Sequence, residues 1–328
     1  MSGWAGRPVL VTGAGGFIGS HLCERLVGLG ADVRALVEYN SLGSWGWLDD
    51  SDVRGDLEVV LGDVRDRDSV ESATKDIELV FHLAALIAIP FSYEAPASYV
   101  ATNVLGTVNV LRAAQRAGVA LVVHTSTSEV YGTARYVPID EEHPLHGQSP
   151  YAASKIGADK IAEAFHLSYG LPVTTLRPFN TYGPRQSARA VIPTIVTQAL
   201  AGGPIALGNL APTRDFTYVS DTVEAFVAVA EHPAAVGRVL NTGSGQEISI
   251  GDLVERIEAI VGRRAPVERD EERVRPPGSE VERLLADTSA ARSLLGWEPR
   301  VSLDDGLRAT VDWIADNLER YRVGAYTV

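Results

Sequence analysis

VLVTGAGGFIGS, residues 9–20, is the stretch from which the rest of the chain is read. Pro8 and the apolar run Val9-Leu10-Val11 predict a buried parallel strand, and residues 17–27 predict a helix. Between them Gly13, Gly16 and Gly19 stand in the order G-x-x-G-x-x-G. Gly13 lets the chain turn sharply off the strand, Gly16 lets a pyrophosphate approach the backbone, and Gly19 lets the helix pack close to the sheet. The free N–H groups that open the helix, at Phe17 and Ile18, and the positive end of its dipole then face a diphosphate. A glycine triplet alone also serves ordinary turns. With a strand before it and a helix after it, the triplet reads as a dinucleotide site.

The chain has 328 residues, enough for one large domain or two smaller ones around a sizeable core. Its 29 Lys+Arg against 42 Asp+Glu leave a net charge of −13, which speaks against nucleic acid or an anionic membrane as partner. An anionic small molecule would need a local cluster of arginines. Cys23 is the only cysteine, so no disulfide or cysteine-based metal framework is expected, and no metal site. Cys23 itself reads as a small buried residue on the first helix. No signal-peptide pattern precedes the first strand, and no apolar run approaches the ~20 residues of a spanning helix. The expectation is a soluble, cytoplasmic protein.

Strand-like runs at 9–12, 32–37, 58–61, 79–83, 120–126 and 173–177 alternate with helical patterns at 17–29, 68–74, 96–117 and 151–169. Such alternation predicts an α/β fold with a doubly wound parallel sheet, right-handed crossovers and a ligand at the carboxyl ends of the strands. After Arg177 the texture changes, as Pro178, Gly183, Pro184, Pro193, Gly202, Gly203, Pro204, Gly208 and Pro212 cut the chain into short pieces. A helix at 221–232, a strand at 238–242 and helices at 250–261 and 302–317 follow, around a charged segment at 268–282. Residues 1–178 plus about 215–245 are expected to form the dinucleotide domain. Residues 179–214 plus about 246–328 are expected to form a smaller, interleaved substrate lobe.

Glu38, at the end of the second strand, lies near the ~20-residue offset at which an acidic residue meets the adenosine ribose. Its carboxylate would accept bonds from a 2′-hydroxyl and repel a 2′-phosphate. No arginine occupies positions 37–41, which favours NAD over NADP. The alternatives are a solvated charge at a strand end, or Val37 in the usual acidic position. Asp63, followed by Val64 in LGDVRD, is read as a contact to the adenine edge; a turn or N-cap role for Asp63 or Asp66 is the other reading.

Tyr151 and Lys155 in SPYAASK stand one helical turn apart and share a face. An ammonium beside a phenol favours phenolate. Tyr-x-x-x-Lys recurs by chance as a surface pair. Here it follows a strand that ends in Ser126-Thr127-Ser128-Glu129, with hydroxyls and a carboxylate where the ligand should lie.

Together these segments resemble the extended short-chain dehydrogenase/reductase family. GAGGFIG (13–19), HLAA (82–85), STSEVYG (126–132), YAASK (151–155), RPFNTYGP (177–184) and RDFTYVSD (214–221) occur in the family's order. The resemblance implies a Rossmann fold with NAD, and it implies that Leu83, Ala84, Ala85 and Asn103 lie beside that cofactor. It makes Thr127 the hydroxyl that polarises the reacting oxygen and Tyr151 the base. Lys155 would hold Tyr151 and the nicotinamide ribose. Asn180, Arg185, Val191, Arg214, Arg275 and Glu280 would meet a nucleotide-diphosphate sugar; arginine's fixed fork suits a diphosphate better than lysine does.

The finer pattern looks like nucleotide-sugar 4,6-dehydratases, with Thr127-Ser128-Glu129 in the place of their Thr-Asp-Glu or Thr-Ser-Glu triplet. NSLGSWGWLD (40–49), ALIAIPFSY (85–93) and FNTYGPRQSARAVIPT (179–194) look most like bacterial enzymes of legionaminic-acid-type pathways, which act on nucleotide-linked N-acetylglucosamine. The implied reaction is a closed redox cycle. Tyr151 takes the O4 proton as hydride leaves C4, Glu129 removes the C5 proton as water leaves C6, and hydride returns to C6. Ser128 stands where glucose-specific enzymes carry an aspartic acid that protonates the leaving hydroxyl; Glu129 serving both steps and a water relay are the two substitutes. The rival readings are a 4-epimerase, a decarboxylase acting on a uronic acid and a non-catalytic redox sensor. A homodimer is expected, formed as a four-helix bundle by residues 96–117 and 151–169 through apolar positions such as Val104, Leu105, Val108, Leu111, Ile156, Ile161 and Phe165.

Overall fold

Strands form where the sequence is apolar and β-branched, and how continuous that run is depends on how deeply the strand lies. A computed structural model describes residues 3–324. In chain order the first strands are β1 (Pro8–Thr12), β2 (Asp32–Glu38), β3 (Leu57–Gly62), β4 (Leu79–His82), β5 (Leu121–Thr125) and β6 (Val173–Pro178). They are followed by β7 (Asn180–Tyr182), β8 (Ile205–Leu207), β9 (Thr213–Tyr218), β10 (Val239–Thr242), β11 (Glu247–Ser249) and β12 (Val267–Arg269). Seven of them make one parallel sheet in the order β10-β6-β5-β4-β1-β2-β3. Every residue of β4 and β6 is buried, whereas β3, at the edge, is nowhere fully buried. Strands covered on both faces read as unbroken apolar runs.

The crossover helices are α1 (Phe17–Gly28), α2 (Arg67–Ala73), α3 (Ile89–Glu94), α4 (Pro96–Tyr99), α5 (Gly106–Ala117) and α6 (Pro150–Tyr169). Later come α7 (Val191–Ala201), α8 (Val219–Glu231), α9 (Ile250–Val261), α10 (Ser289–Leu295) and α11 (Leu303–Asp316). Alternation along β1 splits the core in two. Val9 and Val11 pack with Leu22 and Leu26 of α1 and with Phe226 of α8. Leu10 points the other way, to Val110 and Leu111 of α5 and Phe165 of α6. The single helix expected at 96–117 is broken: between α4 and α5 the backbone of Val100–Leu105 is π-helical. Insertions of this kind are invisible to a 3.6-residue periodicity.

A second core of Tyr182, Ile195, Ile205, Phe216, Leu253, Ile257, Leu307 and Ile314 lies under the three-stranded sheet β11-β9-β7 and helices α7, α9 and α11. The chain does not stay in this lobe to its end. Ala291 and Leu295 of α10, and Trp297 after it, join the core of the large sheet. The Trp297 indole donates to the Asp221 carbonyl at 3.0 Å. Residues 289–297, assigned from sequence to the smaller lobe, therefore pack on the larger one. Among the described residues no helix is long and apolar enough to cross a membrane.

Candidate active site

A cleft of about 1680 Å³ runs along the carboxyl ends of β1, β2, β4 and β5 and continues between the two lobes. At its floor Gly13 adopts φ +70°, and a Cβ there would lie 2.8 Å from the Ala84 backbone nitrogen. Gly19 is equally confined, because its Cβ would meet the Gly13 carbonyl at 2.2 Å. The helix that follows is N-capped by Gly16 with no side-chain cap, and its first turn carries no acidic residue. The opening N–H groups of α1, at Phe17 and Ile18, are thus left for an anion. Leu83, Ala84, Ala85 and Val64 line the same stretch of cleft. Thr12 fixes this loop: its hydroxyl oxygen accepts from the Leu83 and Ala84 backbone at 3.2 and 3.1 Å, and lies 2.8 Å from His82 Nδ1. An uncapped helix start, a backbone cradle too tight for side chains and a carboxylate on the neighbouring strand suit a dinucleotide.

Glu38 is exposed and lines the cleft, as does Asp63. Asp63 accepts from the Arg65 backbone at 2.8 Å and from the Arg65 guanidinium Nε at 2.8 Å, and that guanidinium holds its carboxyl below the usual range. Asp66, not Asp63, caps α2, accepting from Asp68 and Ser69. Arg65 also approaches Glu38, at 3.9 Å. This arginine lies outside positions 37–41 and arrives from beyond the next strand through the pairing of Glu38 with Gly62.

The wall of the cleft that carries Tyr151 and Lys155 is built where β5 meets α6. Ser149 caps α6, accepting from Ala152 at 3.1 Å, and Pro150 opens the helix, so Tyr151 enters on the first turn. Tyr151 is packed edge-on to Tyr99, with ring centroids 6.2 Å apart, and its hydroxyl is hydrogen-bonded to Thr127. Burial pushes its pKa up, outweighing the opposite pull of the Thr127 bond. One turn on, the buried Lys155 ammonium donates to the Thr125 carbonyl at 2.6 Å, and burial lowers its pKa to about 8. The turn after β5 places Ser128 and Glu129 in the same wall, 2 % and 8 % exposed. Among the described residues the Glu129 carboxylate has no hydrogen-bond or ion-pair partner; its charge acts on Arg214 and Tyr151.

Across the cleft, Arg214 and Arg275 both approach Glu280, at 3.7 and 3.8 Å. Arg275 Nη1 and Asn180 Oδ1 are buried without a hydrogen-bond partner, as expected of groups waiting for a polar ligand. Val191, at the start of α7, completes this wall. Two site expectations come out differently. Arg185 borders the cleft, but its guanidinium is held by Glu24 at 2.8 Å and Ser20 at 3.2 Å, on the dinucleotide side. Asn103 stands behind the wall at 1 % exposure. Its amide is used up on the Leu86 backbone and Ser154, all at 2.9 Å, so it supports the cleft instead of facing it.

A dinucleotide cradle, a Tyr-Lys pair with a threonine on the adjoining strand end, and arginines on the opposite wall define a redox enzyme of nucleotide sugars. A family model described as GDP-mannose 4,6 dehydratase matches residues 10–310. The chain belongs to that family, within the epimerase/dehydratase branch of the extended short-chain dehydrogenases/reductases. A UDP-glucose 4-epimerase of Mycolicibacterium smegmatis is 38% identical over 311 residues, covering 93% of this chain and 97% of that protein. A dTDP-glucose 4,6-dehydratase of Actinoplanes sp. is 34% identical over 317 residues, covering 94% of this chain and 98% of that one. DesIV of Streptomyces venezuelae, a dTDP-glucose 4,6-dehydratase solved with NAD and TYD bound, superposes with a TM-score of 0.89 at 33% identity, covering 96% of this chain and 99% of that one.

Proposed function

We propose that this chain is an NAD-dependent nucleotide-sugar 4,6-dehydratase whose substrate is a nucleotide-linked N-acetylglucosamine. The observation that carries the reading is Glu129, a carboxylate buried beside Tyr151 and left without a hydrogen-bond partner among the described residues. A carboxylate in the cleft wall that no protein donor occupies is free to accept a proton, and elimination needs such a second base at C5. The N-acetyl group is supported by the similarity of residues 40–49, 85–93 and 179–194 to enzymes acting on such sugars.

Tyr151 takes the proton from O4 while Thr127 holds the same oxygen. Lys155 favours the phenolate that accepts this proton, and the transfer leaves Tyr151 as the neutral phenol. The glycine loop, Glu38 and Asp63 would hold NAD, which would supply the redox chemistry as acceptor and then donor of a hydride. With a ketone at C4 the C5 proton is acidic, and Glu129 removes it as hydroxide leaves C6. That hydroxide needs a proton; Ser128 has none to spare at neutral pH, so Glu129 or a water it holds delivers it, and C5 takes a proton back from solvent once C6 is reduced. Arg214 and Arg275 grip the diphosphate, releasing Glu280 from its double contact. The chain is taken to work as a homodimer in the cytoplasm.

The 38% identity to an epimerase favours a second reading, 4-epimerisation by the same Tyr151, Lys155 and Thr127, in which Glu129 is a bystander. Incubation with a panel of UDP-, GDP- and dTDP-linked hexoses and N-acetylhexosamines separates the two. Product lighter by one water, from an N-acetylglucosamine donor, is the expected outcome. An isomer of unchanged mass and altered retention establishes the epimerase instead.

A further inference from the structure

Three residues on one face of α6 grip the end of β5 in succession. Tyr151 is hydrogen-bonded to Thr127, and Lys155 donates to the Thr125 carbonyl at 2.6 Å. One turn further, Asp159 reaches the same strand end from below. Its Oδ1 lies 3.1 Å from His124 Nε2, and its Oδ2 accepts from Ser126 Oγ at 2.8 Å. Arg177 of β6 closes the group with Nε and Nη2 on that oxygen at 3.1 and 3.0 Å. Asp159, His124, Ser126 and Arg177 are each at most 6 % exposed. Arg177 continues to the Tyr131 hydroxyl at 2.9 Å, and Tyr131 donates to Asn241 of β10 at 2.7 Å. None of these groups is needed as an acid or base in the reaction derived above.

We propose that Asp159 is a positioning residue of the reaction: its carboxylate fastens the strand end that carries Thr127 to the helix that carries Tyr151 and Lys155, and it supplies the negative charge against which the Lys155 ammonium is held. The spacing supports both roles. Residues 151, 155 and 159 follow at the four-residue interval that brings side chains onto one helix face. Asp159 bonds to the side chains of residues 124 and 126, which flank the carbonyl that Lys155 uses, and residue 126 precedes Thr127. A shift of this rung would misplace threonine and tyrosine together, and small misplacements of reacting groups are costly.

The electrostatics run in the same direction. Lys155 is faced by Asp159 on its own helix, by His82 of β4 and His124 of β5, and through Asp159 by Arg177 of β6. Both histidines are pushed towards their neutral forms by burial. Asp159 is the charge that raises the Lys155 pKa against the burial that lowers it. Removing that carboxylate lets Lys155 lose its proton at lower pH, and with it the cation that favours phenolate.

The assignment rests on Tyr151 and Lys155 being the reacting pair, which holds for dehydration and epimerisation alike. The chain carries only Lys75, Lys155 and Lys160, so lysine labelled with ¹³C at Cε gives a spectrum that can be followed signal by signal. Asp159→Asn leaves Arg177 buried and unpaired, so an Asp159→Asn/Arg177→Met pair, which removes both charges, is titrated beside it. In the wild type the Lys155 signal is expected to titrate near pH 8. In both variants the midpoint should fall by about one unit, and the alkaline limb of kcat should fall with it, costing about fivefold at the wild-type midpoint and about tenfold well above it. KM should move far less than kcat. An unmoved Lys155 midpoint in folded variants overturns the proposal, as does a shift in the single variant that vanishes in the double one. A moved midpoint with an unmoved rate profile overturns the catalytic reading of Lys155, and with it the place of Asp159 in the reaction.

Discussion

Glu129 separates the two chemistries open to this family at the scale of a single side chain. Glutamine preserves its shape but cannot accept a proton. If Glu129 is the C5 base, Glu129→Gln lowers the rate of product formation by 10²- to 10⁴-fold, roughly 3–5 kcal/mol of barrier. In deuterated water the wild-type product gains deuterium at C5, and the variant exchanges far more slowly. Oxidation at C4 then outruns elimination, so absorbance of the reduced cofactor accumulates in the variant and not in the wild type. Tyr151→Phe blocks the first step and shows no such absorbance. Wild-type turnover by Glu129→Gln would reduce the carboxylate to a partner in its own loop and remove the main support for dehydration. The chain itself makes the identities of Thr127, Glu129, Tyr151 and Lys155 legible. Asn103 is not legible in the same way: an asparagine near a motif looks the same whether its amide faces a ligand or, as here, a loop backbone.

At the scale of elements, the loop after β2 ties the dinucleotide cradle to the smaller lobe. Trp47 donates its backbone N–H to the Gly15 carbonyl at 3.0 Å. Gly46 sits at φ +67°, where a Cβ would come within 2.4 Å of that same carbonyl. Asn40 closes the loop on itself, donating to the Ser44 carbonyl at 2.7 Å. On its outer side Trp47 meets Trp313 of α11 edge-on at 5.4 Å, and Asp50 accepts from Arg320 at 2.6 Å. The ion pair is exposed and contributes little, ~0–1 kcal/mol; the aromatic contact adds about 0.5–1.5 kcal/mol beyond its buried area. The purified wild type is expected to carry NAD, and Trp313→Ala to carry less, as read by extracting and quantifying the nucleotide. Equal content in both would show that this loop does not retain the cofactor. Recovery of NADP(H) would overturn the role given to Glu38.

For the whole molecule, the helices expected to form a dimer interface divide their apolar residues between two directions. Leu111 and Phe165 are spent inside the protomer, in the core under the sheet, and Val104 packs on Gly157. Val100, Leu105, Leu167 and Tyr169 remain 50–74 % exposed on α6 and on the segment running into α5. Those four, not the inward set, are the residues left for a partner. Light scattering is expected to give twice the 35.1 kDa chain mass. Leu105→Glu should return it to one chain without lowering the absorbance of bound cofactor. A wild-type mass near one chain refutes the dimer.

Most of the architecture follows from local sequence, because a strand buried on both faces must be apolar throughout and a glycine whose Cβ would run into backbone cannot be replaced. Val9–Val11, Gly13 and Gly19 place the first strand, the turn and the helix by these two constraints alone, and the alternation that follows implies the parallel sheet. Contacts between residues distant in the chain are a different matter. That Arg65 reaches Glu38 depends on strand pairing, that Arg185 is bound by Glu24 depends on how the lobes meet, and that Asp159 gathers His124, Ser126 and Arg177 depends on three elements closing together. A charged side chain carries no mark of its partner in its own neighbourhood. For Asp159 burial decides the partners, since a carboxylate removed from water is held by the donors that the packed chain brings to it.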